Sequence, residues 1–258
     1  MIKAIFFDID GTLVSFRTHR VPDSTVESLA ALRRAGVKTF IATGRQLGSI
    51  NNLGTLTFDG YVTLNGGYCI AGRDHVIYKR SIPQTDIDAL LDYLEHEEPF
   101  PCAFVLENGI YLNYKSEKVE ELFRLINFPE PPIRPLSAVR GHTVYQLIAF
   151  LTPEQEERLL PVIPGCTATR WNPLFTDIVP KGSNKGIGID KIIDYFGIPL
   201  ADTMAFGDGG NDIEMLRHVA LGVAMGNAGE EVKAAARYVT TSVDDNGISN
   251  ALRHFGIL

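Results

Sequence analysis

A chain of 258 residues, 45% of them apolar and 21% charged, is long enough to fold as one large domain or two modest ones. The net charge of −7 argues against nucleic acid as a partner, and the absence of any apolar run near the roughly 18 residues of a membrane span argues against a membrane. Three widely spaced cysteines without a CxxC pair, and an acidic residue at position 8, predict a cytoplasmic protein without a secretory signal.

The first third of the chain alternates strand and helix patterns. Residues 3–8 (KAIFFD) form a short apolar run ending in an acid, which predicts a buried parallel strand. A helix follows, and Ser24 and Glu27 are predicted to form its capping box. Residues 37–42 (VKTFIA) and 61–64 (YVTL) predict two more strands. This order of elements is typical of a parallel sheet with helices on its faces.

The pattern changes near Pro83. Residues 102–107 and 110–113 predict a hairpin around the dipeptide Asn108-Gly109. Five further elements are predicted, namely a helix from about residue 117, a strand over 144–151, a helix capped by Thr152 and Gln155, and strands around 167–171 and 174–179. Hairpins mixed with two helices indicate an α+β insert.

The first pattern returns after residue 182. A helix is predicted from Asn184 to Phe196, followed by a strand over 203–206 and three further helices with two short strands between them. The fold class is therefore α/β, with a Rossmann-like parallel-sheet core that carries helices on both faces. The core comprises residues 1–82 and 182–258, and an α+β cap of residues 83–181 is inserted into it.

Polar clusters fall where predicted strands of the core end. They are residues 8–12 (DIDGT), 43–45 (TGR), 65–67 (NGG) and 207–212 (GDGGND), and Lys185 begins the helix after the insert. Because ligands of open α/β sheets bind at the carboxyl ends of the strands, these side chains are expected to converge. Closely spaced carboxylates repel one another unless a cation neutralises them, and a hard divalent ion such as Mg²⁺ suits oxygen ligands beside a phosphate.

The order of these motifs resembles a known family. DIDGT, TGR, Lys185 and GDGGND follow one another as do the four motifs of the haloacid dehalogenase superfamily, and the insert between the second and third motifs resembles the cap of its Cof-type phosphatases. The resemblance covers the whole chain. It implies a phosphatase that hydrolyses a small phosphorylated metabolite, either a sugar phosphate or a phosphorylated cofactor.

The residue types fit phosphoryl transfer, which needs a nucleophile, charge neutralisation and a proton for the leaving alcohol. Asp8 is expected to attack phosphorus and form an aspartyl-phosphate, and Asp10 to protonate the leaving oxygen and then deprotonate water. By resemblance, Asp8, the Asp10 carbonyl and Asp208 bind Mg²⁺, and Asp212 supports them.

The remaining motif residues are expected to bind the phosphate or substrate. The resemblance assigns this role to Thr43, Lys185 and Asn211, and Gly44 and Asn65, which lie in the TGR and NGG clusters, are further candidates for it. Simpler interpretations stay open: Thr43 can cap a helix beginning at Arg45, Asn65 can be a turn residue, and Arg45 can be an anion ligand or a surface helix arginine.

Two other functions stay open at this point. A phosphomutase would pass the phosphoryl group to a second sugar hydroxyl, but it needs a cap dense in basic residues, and the insert has no such cluster. A phospho-receiver switch also combines acids, a Thr and a Lys around Mg²⁺, but receivers are shorter and lack the insert. The expected partner is a small phosphate ester, and the protein is expected to be a monomer or a small homo-oligomer.

Overall fold

The computed structural model describes all 258 residues and divides them into two compact units. Unit 1 consists of Met1–Lys79 together with Asn184–Leu258, and unit 2 consists of Arg80–Ser183. No helix is both long enough and apolar enough to cross a lipid bilayer.

The first segment of unit 1 contains one helix and five strands. They are β1 (Ala4–Phe7), α1 (Asp23–Arg34), β2 (Lys38–Ala42), β3 (Gly60–Thr63), β4 (Tyr68–Ala71) and β5 (His75–Lys79). The sequence did not predict β4 and β5.

Unit 2 contains three helices and five strands. They are α2 (Gln84–His96), β6 (Cys102–Leu106), β7 (Gly109–Leu112), α3 (Glu117–Leu125), β8 (Val144–Ala149), α4 (Pro153–Leu159), β9 (Cys166–Asn172) and β10 (Phe175–Pro180). The predicted hairpin around Asn108-Gly109 is confirmed, because β6 and β7 pair antiparallel. The helix α2 was missed.

The chain then completes unit 1 with four helices and three strands. They are α5 (Lys185–Phe196), β11 (Thr203–Gly207), α6 (Ile213–His218), β12 (Leu221–Ala224), α7 (Glu230–Ala235), β13 (Tyr238–Val239) and α8 (Gly247–His254).

The eight strands of unit 1 form one sheet in the order β13-β12-β11-β1-β2-β3-β4-β5. The six strands from β13 to β3 are mutually parallel. The last two are antiparallel to their neighbours and extend the sheet at one edge. The predicted parallel sheet is thus confirmed for six strands, and an antiparallel hairpin is added to it.

Alternating side chains of the central strands belong to two hydrophobic cores, one on each face of the sheet. On one face, Ile5 and Phe7 of β1 pack with residues of α1 and α8. On the other, Ala4 and Phe6 of the same strand pack with α5, α6 and α7. Because successive strand residues point to opposite faces, an apolar run without alternation needs helices on both. The predicted three-layer arrangement is confirmed.

Unit 2 is built around an antiparallel sheet in the order β7-β6-β8-β10-β9. One of its cores combines Leu90 and Leu91 of α2 with Phe104 and Leu147 of the sheet. A second core, which includes Phe123 of α3 and Phe175 of β10, contains other residues of the same sheet. The α+β character predicted for the insert is confirmed.

The helix caps correct one prediction and confirm another. Helix α1 begins at Asp23 after Pro22, without a side-chain cap, and the Ser24 hydroxyl is buried without a hydrogen-bond partner. The predicted capping box of Ser24 and Glu27 is therefore wrong, because the N-cap residue is Pro22 and Ser24 is already the second residue of the helix. The capping box of Thr152 and Gln155 is present at α4.

Candidate active site

The centre of the site lies where β1 and β11 end side by side. These strands are parallel neighbours, with Phe7 opposite Phe206, and Asp8 and Asp208 each come directly after their own strand, one register position apart. The backbone N–H of Asp8 donates to the carbonyl of Phe206 at 3.0 Å. Parallel pairing therefore brings together two acids that are 200 residues apart in the sequence.

Lys185 joins two carboxylates in the interior. Its Nζ donates to Asp8 Oδ1 and to Asp212 Oδ1, both at 2.6 Å, and its side chain is fully buried. Helix α5 delivers it there. The Asn184 side chain caps this helix, and a Cβ on Gly188 would overlap with Val62 of β3, so the helix lies close against the sheet. Lys185 is therefore a buried residue of the site and not a solvated helix residue.

Asp212 organises the loop that carries Asp208. While Oδ1 accepts from Lys185, Oδ2 accepts the backbone N–H groups of Asp208 and Gly209, each at 2.9 Å. Both oxygens of this fully buried carboxylate are therefore engaged within the protein.

Asp208 contacts the DIDGT turn on its other side. Its Oδ1 accepts from the Thr12 hydroxyl at 2.6 Å. Gly11 has a φ of +90°, and a Cβ at this position would overlap with the Asp208 carboxylate. The turn therefore needs glycine for two reasons, the left-handed backbone and the close approach of an acid.

Asp10 is oriented by a residue that the sequence left ambiguous. Its two carboxylate oxygens accept from Arg45 Nε and Nη2, both at 2.7 Å. The two side chains are 14% and 8% exposed. The interpretation of Arg45 as a surface helix arginine is wrong: no helix begins there, and a single 3₁₀ turn covers Leu47–Ser49.

The predicted phosphate ligands form a second group beside the acids. Thr43 is buried, and its Oγ1 accepts the backbone N–H of Arg45 at 3.1 Å, so it caps a turn rather than a helix. Gly44 follows it and is half-buried. Asn65 is buried, and its backbone adopts a left-handed conformation with a φ of 49°. Its Oδ1 accepts from Asn211 Nδ2 at 2.9 Å.

The charge balance of the cluster suits a bound cation. One ligand oxygen from each of Asp8, Asp208 and Asp212 lies within 4.8 Å of the others. Burial raises the pKa of Asp8 to about 7, against the lowering effect of Lys185, and the carboxylates of Asp212 and Asp10 act in the same direction as burial. Burial and the charge of Asp8 also raise the pKa of Asp208. Burial lowers the pKa of Lys185, but the two carboxylates outweigh it and the net shift is upward.

Asn227 is a residue of the site that sequence reasoning missed. It lies in the turn after β12, and its Nδ2 donates to the Gly11 carbonyl at 2.9 Å and to Asp208 Oδ2 at 3.3 Å. Its Oδ1 accepts the backbone N–H of Val243 at 3.0 Å. Its place just beyond the end of a parallel strand was a usable signal, because the motif residues share that location.

An open α/β sheet with two paired acids, a buried lysine and a GDGGND loop at its strand ends defines a hydrolase of the haloacid dehalogenase-like class. The chain belongs to this family, whose model, described as haloacid dehalogenase-like hydrolase, matches residues 5–252. It is a phosphatase of that family, as the relatives it resembles indicate. The predicted family and enzyme class are confirmed.

Three similar proteins illustrate the relationship. A Bacillus subtilis protein with the name "Putative phosphatase YkrA" is 35% identical over 99% of this chain and 98% of its own. A solved structure described as the HAD subclass IIB sugar phosphatase BT4131 is 49% identical, with 99% and 100% of the two chains covered and a TM-score of 0.94. The phosphatase BT1666 from Bacteroides thetaiotaomicron is 37% identical, with 100% and 96% covered and a TM-score of 0.91.

Proposed function

We propose that this protein is a Mg²⁺-dependent phosphatase that hydrolyses sugar phosphates through an aspartyl-phosphate on Asp8. The observation that carries the proposal is the buried Lys185, which bonds to Asp8 and Asp212 at 2.6 Å next to Asp208. A buried lysine is costly unless it is paired, so its position here favours a role in neutralising charge. The site is therefore suited to an anionic group that adds to Asp8.

Two residues divide the proton and phosphoryl chemistry. An oxygen of Asp8 forms a bond to phosphorus while the bond from phosphorus to the alcohol oxygen breaks, and Asp10 donates its proton to that oxygen. In the second half of the reaction, Asp10 takes a proton from water as the water oxygen attacks phosphorus. The bond between phosphorus and Asp8 then breaks, and phosphate is released.

The donor set fits Mg²⁺. Carboxylate and carbonyl oxygens are the ligands that Mg²⁺ prefers. Lys185 pairs with only two of the three carboxylates, Asp8 and Asp212, so the ionised cluster retains negative charge. Asp8, Asp208 and the Asp10 carbonyl would bind the ion, whose charge would offset that of the carboxylates and of the phosphoryl group. Asp212, with both oxygens already bonded, would support the loop rather than bind the metal.

The other polar residues orient the phosphoryl group. Thr43 and Gly44 follow β2 and Asn211 follows β11, the two strands on either side of β1. Asn65 fixes the Asn211 amide through their hydrogen bond at 2.9 Å. Preorganised donors of this kind stabilise the charge of a phosphoryl transition state. The preference for sugar phosphates rests on the description of the 49% identical structure as a sugar phosphatase. The three cysteines are free and buried, in keeping with a cytoplasmic location.

A phosphate-release assay tests the proposal. Chelator-treated protein should be inactive on sugar phosphates and regain activity with Mg²⁺. Ca²⁺ alone should not restore it, because this larger ion takes six to eight oxygens and readily binds a carboxylate through both atoms, which would engage both oxygens of Asp8. Full activity in the chelator would contradict metal dependence.

A screen of phosphorylated metabolites by kcat/KM tests the substrate class. Sugar phosphates should rank above phosphorylated cofactors and other phosphomonoesters. A stable phosphoprotein without turnover would instead indicate a receiver switch, and transfer to a second sugar hydroxyl would indicate a phosphomutase.

A further inference from the structure

The contact between Arg45 and Asp10 has the geometry of an orienting clamp. Two parallel N–H donors meet two carboxylate oxygens at 2.7 Å each. Such a planar fork fixes the rotation of a carboxylate as well as its position, which a single-point contact cannot do. The exposed fractions of 8% and 14% place this pair mostly out of water, where it is screened less than a surface pair.

Arg45 is itself held by the turn that follows β2. Its Nη1 donates to the carbonyl of Ser49 at 3.1 Å, and its backbone N–H donates to Thr43 Oγ1 at 3.1 Å. Its backbone carbonyl accepts the N–H of Leu64 at 3.2 Å. The backbone of Arg45 is thus tied to the strand ends of β2 and β3, and its guanidinium is held at Ser49 in the turn after β2.

The two acids of the DIDGT motif therefore have separate cations. Lys185 bonds to Asp8, and Arg45 bonds to Asp10. Asp10 follows the strand end by three residues and has no neighbour of its own turn that could set its side-chain rotation in this way. Displacement of a reacting group by about 1 Å can cost on the order of 100-fold in rate.

We propose that Arg45 is a positioning residue that holds the Asp10 carboxylate in the orientation from which it exchanges protons with the leaving oxygen and with water. This inference rests on the proposed function, in which Asp10 is the acid and base. It predicts that Arg45 affects the rate through Asp10 and not through substrate binding.

The test compares two leaving groups in four proteins: the wild type, Arg45→Met, Arg45→Lys and Asp10→Asn. Glucose 6-phosphate has a poor leaving group that needs a proton, whereas p-nitrophenyl phosphate needs little assistance. Arg45→Met should lower kcat for glucose 6-phosphate by about 30-fold or more and that for p-nitrophenyl phosphate by less than about threefold, with KM little changed. Arg45→Lys should fall between wild type and Arg45→Met, because it keeps the charge but loses the fork.

A double variant tests whether the effect passes through Asp10. In the Asp10→Asn background, Arg45→Met should lower kcat by less than about threefold further, since residues that act as a unit are not additive. Arg33→Met is the matched control. Arg33 lies at the C-terminal end of α1, just before β2 begins, and therefore at the edge of the sheet opposite the site. Its side chain bonds to Thr57, and its loss should leave both rates unchanged. Thermal unfolding of each variant verifies that it is folded.

Three results would overturn the inference. They are equal losses on both esters, a raised KM with unchanged kcat, and full additivity with Asp10→Asn. The Asp10→Asn variant separates this inference from the proposed function. If Asp10→Asn lowers kcat equally for both esters, the assignment of Asp10 is wrong and the inference fails with it. If Asp10→Asn lowers kcat mainly for glucose 6-phosphate while Arg45→Met does not, only the inference fails.

Discussion

The two units differ in how they accommodate buried acids. In unit 1, Asp8 and Asp212 are buried around a lysine, and Asp208 lies beside them. In unit 2, the buried Asp86 accepts the backbone N–H of Gly165 at 2.7 Å, and the buried Asp177 accepts from Gln146 at 3.2 Å. In unit 2 the two acids lie on different elements, Asp86 on α2 and Asp177 on β10, and they accept from different donors.

Sheet topology explains this difference. Parallel strands end at one edge of the sheet, so acids that follow different strands gather there. In an antiparallel sheet, successive strands end at opposite edges, and residues that follow them are spread over both. The comparison indicates that charge concentration, and with it the chemistry, follows from the parallel arrangement of unit 1.

The largest expected effect is the loss of kcat on substitution of Asp8, compared with that of Asp86, a buried acid of unit 2 outside the proposed site. Asp8→Asn should lower kcat by at least about 10³-fold while the protein stays folded, because the amide is nearly isosteric but a poor nucleophile. The matched Asp86→Asn in unit 2 should keep kcat but cost about 1–2 kcal/mol of unfolding free energy, since it weakens the bond to Gly165. A phosphate-release assay measures kcat and denaturant unfolding measures the free energy of unfolding for the two variants. Activity of Asp8→Asn within about tenfold of wild type would remove Asp8 as the nucleophile.

The next effect tests how tightly the DIDGT turn approaches Asp208. Gly11→Ala should destabilise the protein by about 2–4 kcal/mol and weaken Mg²⁺ binding by about tenfold or more, because the new Cβ would displace the Asp208 carboxylate. Gly197→Ala is the control: its φ is +65°, but no atom lies within 4 Å of the new Cβ, so it should cost about 1–2 kcal/mol without changing metal binding. Calorimetric titration with Mg²⁺ distinguishes the two, and equal metal affinities would contradict the crowding argument.

A smaller effect is expected from unit 2, where substitutions should change substrate choice and leave the chemistry intact. A cavity of about 410 Å³ in this unit is lined by the polar side chains of Tyr111, Arg134 and His142, among others, and by Leu106 and Ala138. Arg134→Met should change the ratio of kcat/KM between two sugar phosphates by about tenfold while p-nitrophenyl phosphate hydrolysis stays within about threefold. Arg124→Met, on the exposed side of α3, is the control. A uniform loss on all substrates would place unit 2 in the chemistry instead.

The smallest effect is a pH dependence of stability that arises in unit 1. Asp8 has a pKa of about 7 in the fold, compared with its ordinary 3.8, so between these values the folded state binds more protons than the unfolded state. In the metal-free protein, the contribution of Asp8 protonation to the free energy of unfolding is fully present below about pH 4 and is lost as the pH rises through about 7. Mg²⁺ should therefore raise Tm more at about pH 8 than at about pH 5, since it offsets the charge that proton loss creates.

Thermal unfolding of the wild type and Asp8→Asn, with and without Mg²⁺, checks this expectation. The variant should show a weaker loss of stability between about pH 4 and pH 7, because it lacks the titrating acid. An identical pH slope in both proteins would contradict the raised pKa of Asp8.

Local patterns predicted much of the fold. An apolar run ending in an acid predicted β1, the run over 203–206 before GDGGND predicted β11, and Thr152 and Gln155 predicted the cap of α4. Helix α2 was missed although Ile87, Leu90, Leu91 and Leu94 repeat with helical spacing. Pro83 suggests a break in the pattern, whereas in the structure it is the N-cap residue of this helix. Strands β4 and β5 were missed for a physical reason: they are short, a register shift interrupts their pairing, and β5 is largely exposed, so neither alternates clearly.

The sequence alone determined the family, the α/β class and the acids that follow the strands, because these depend on short motifs and on the local period of apolar residues. Only the tertiary structure decided which charges meet. Lys185 reaches both Asp8 and Asp212, 177 and 27 residues away, because α5 packs closely on β3. Arg45 meets Asp10 because β1 and β2 are parallel neighbours whose ends share one edge. Strand order and helix approach are long-range outcomes of packing, and no local pattern specifies them.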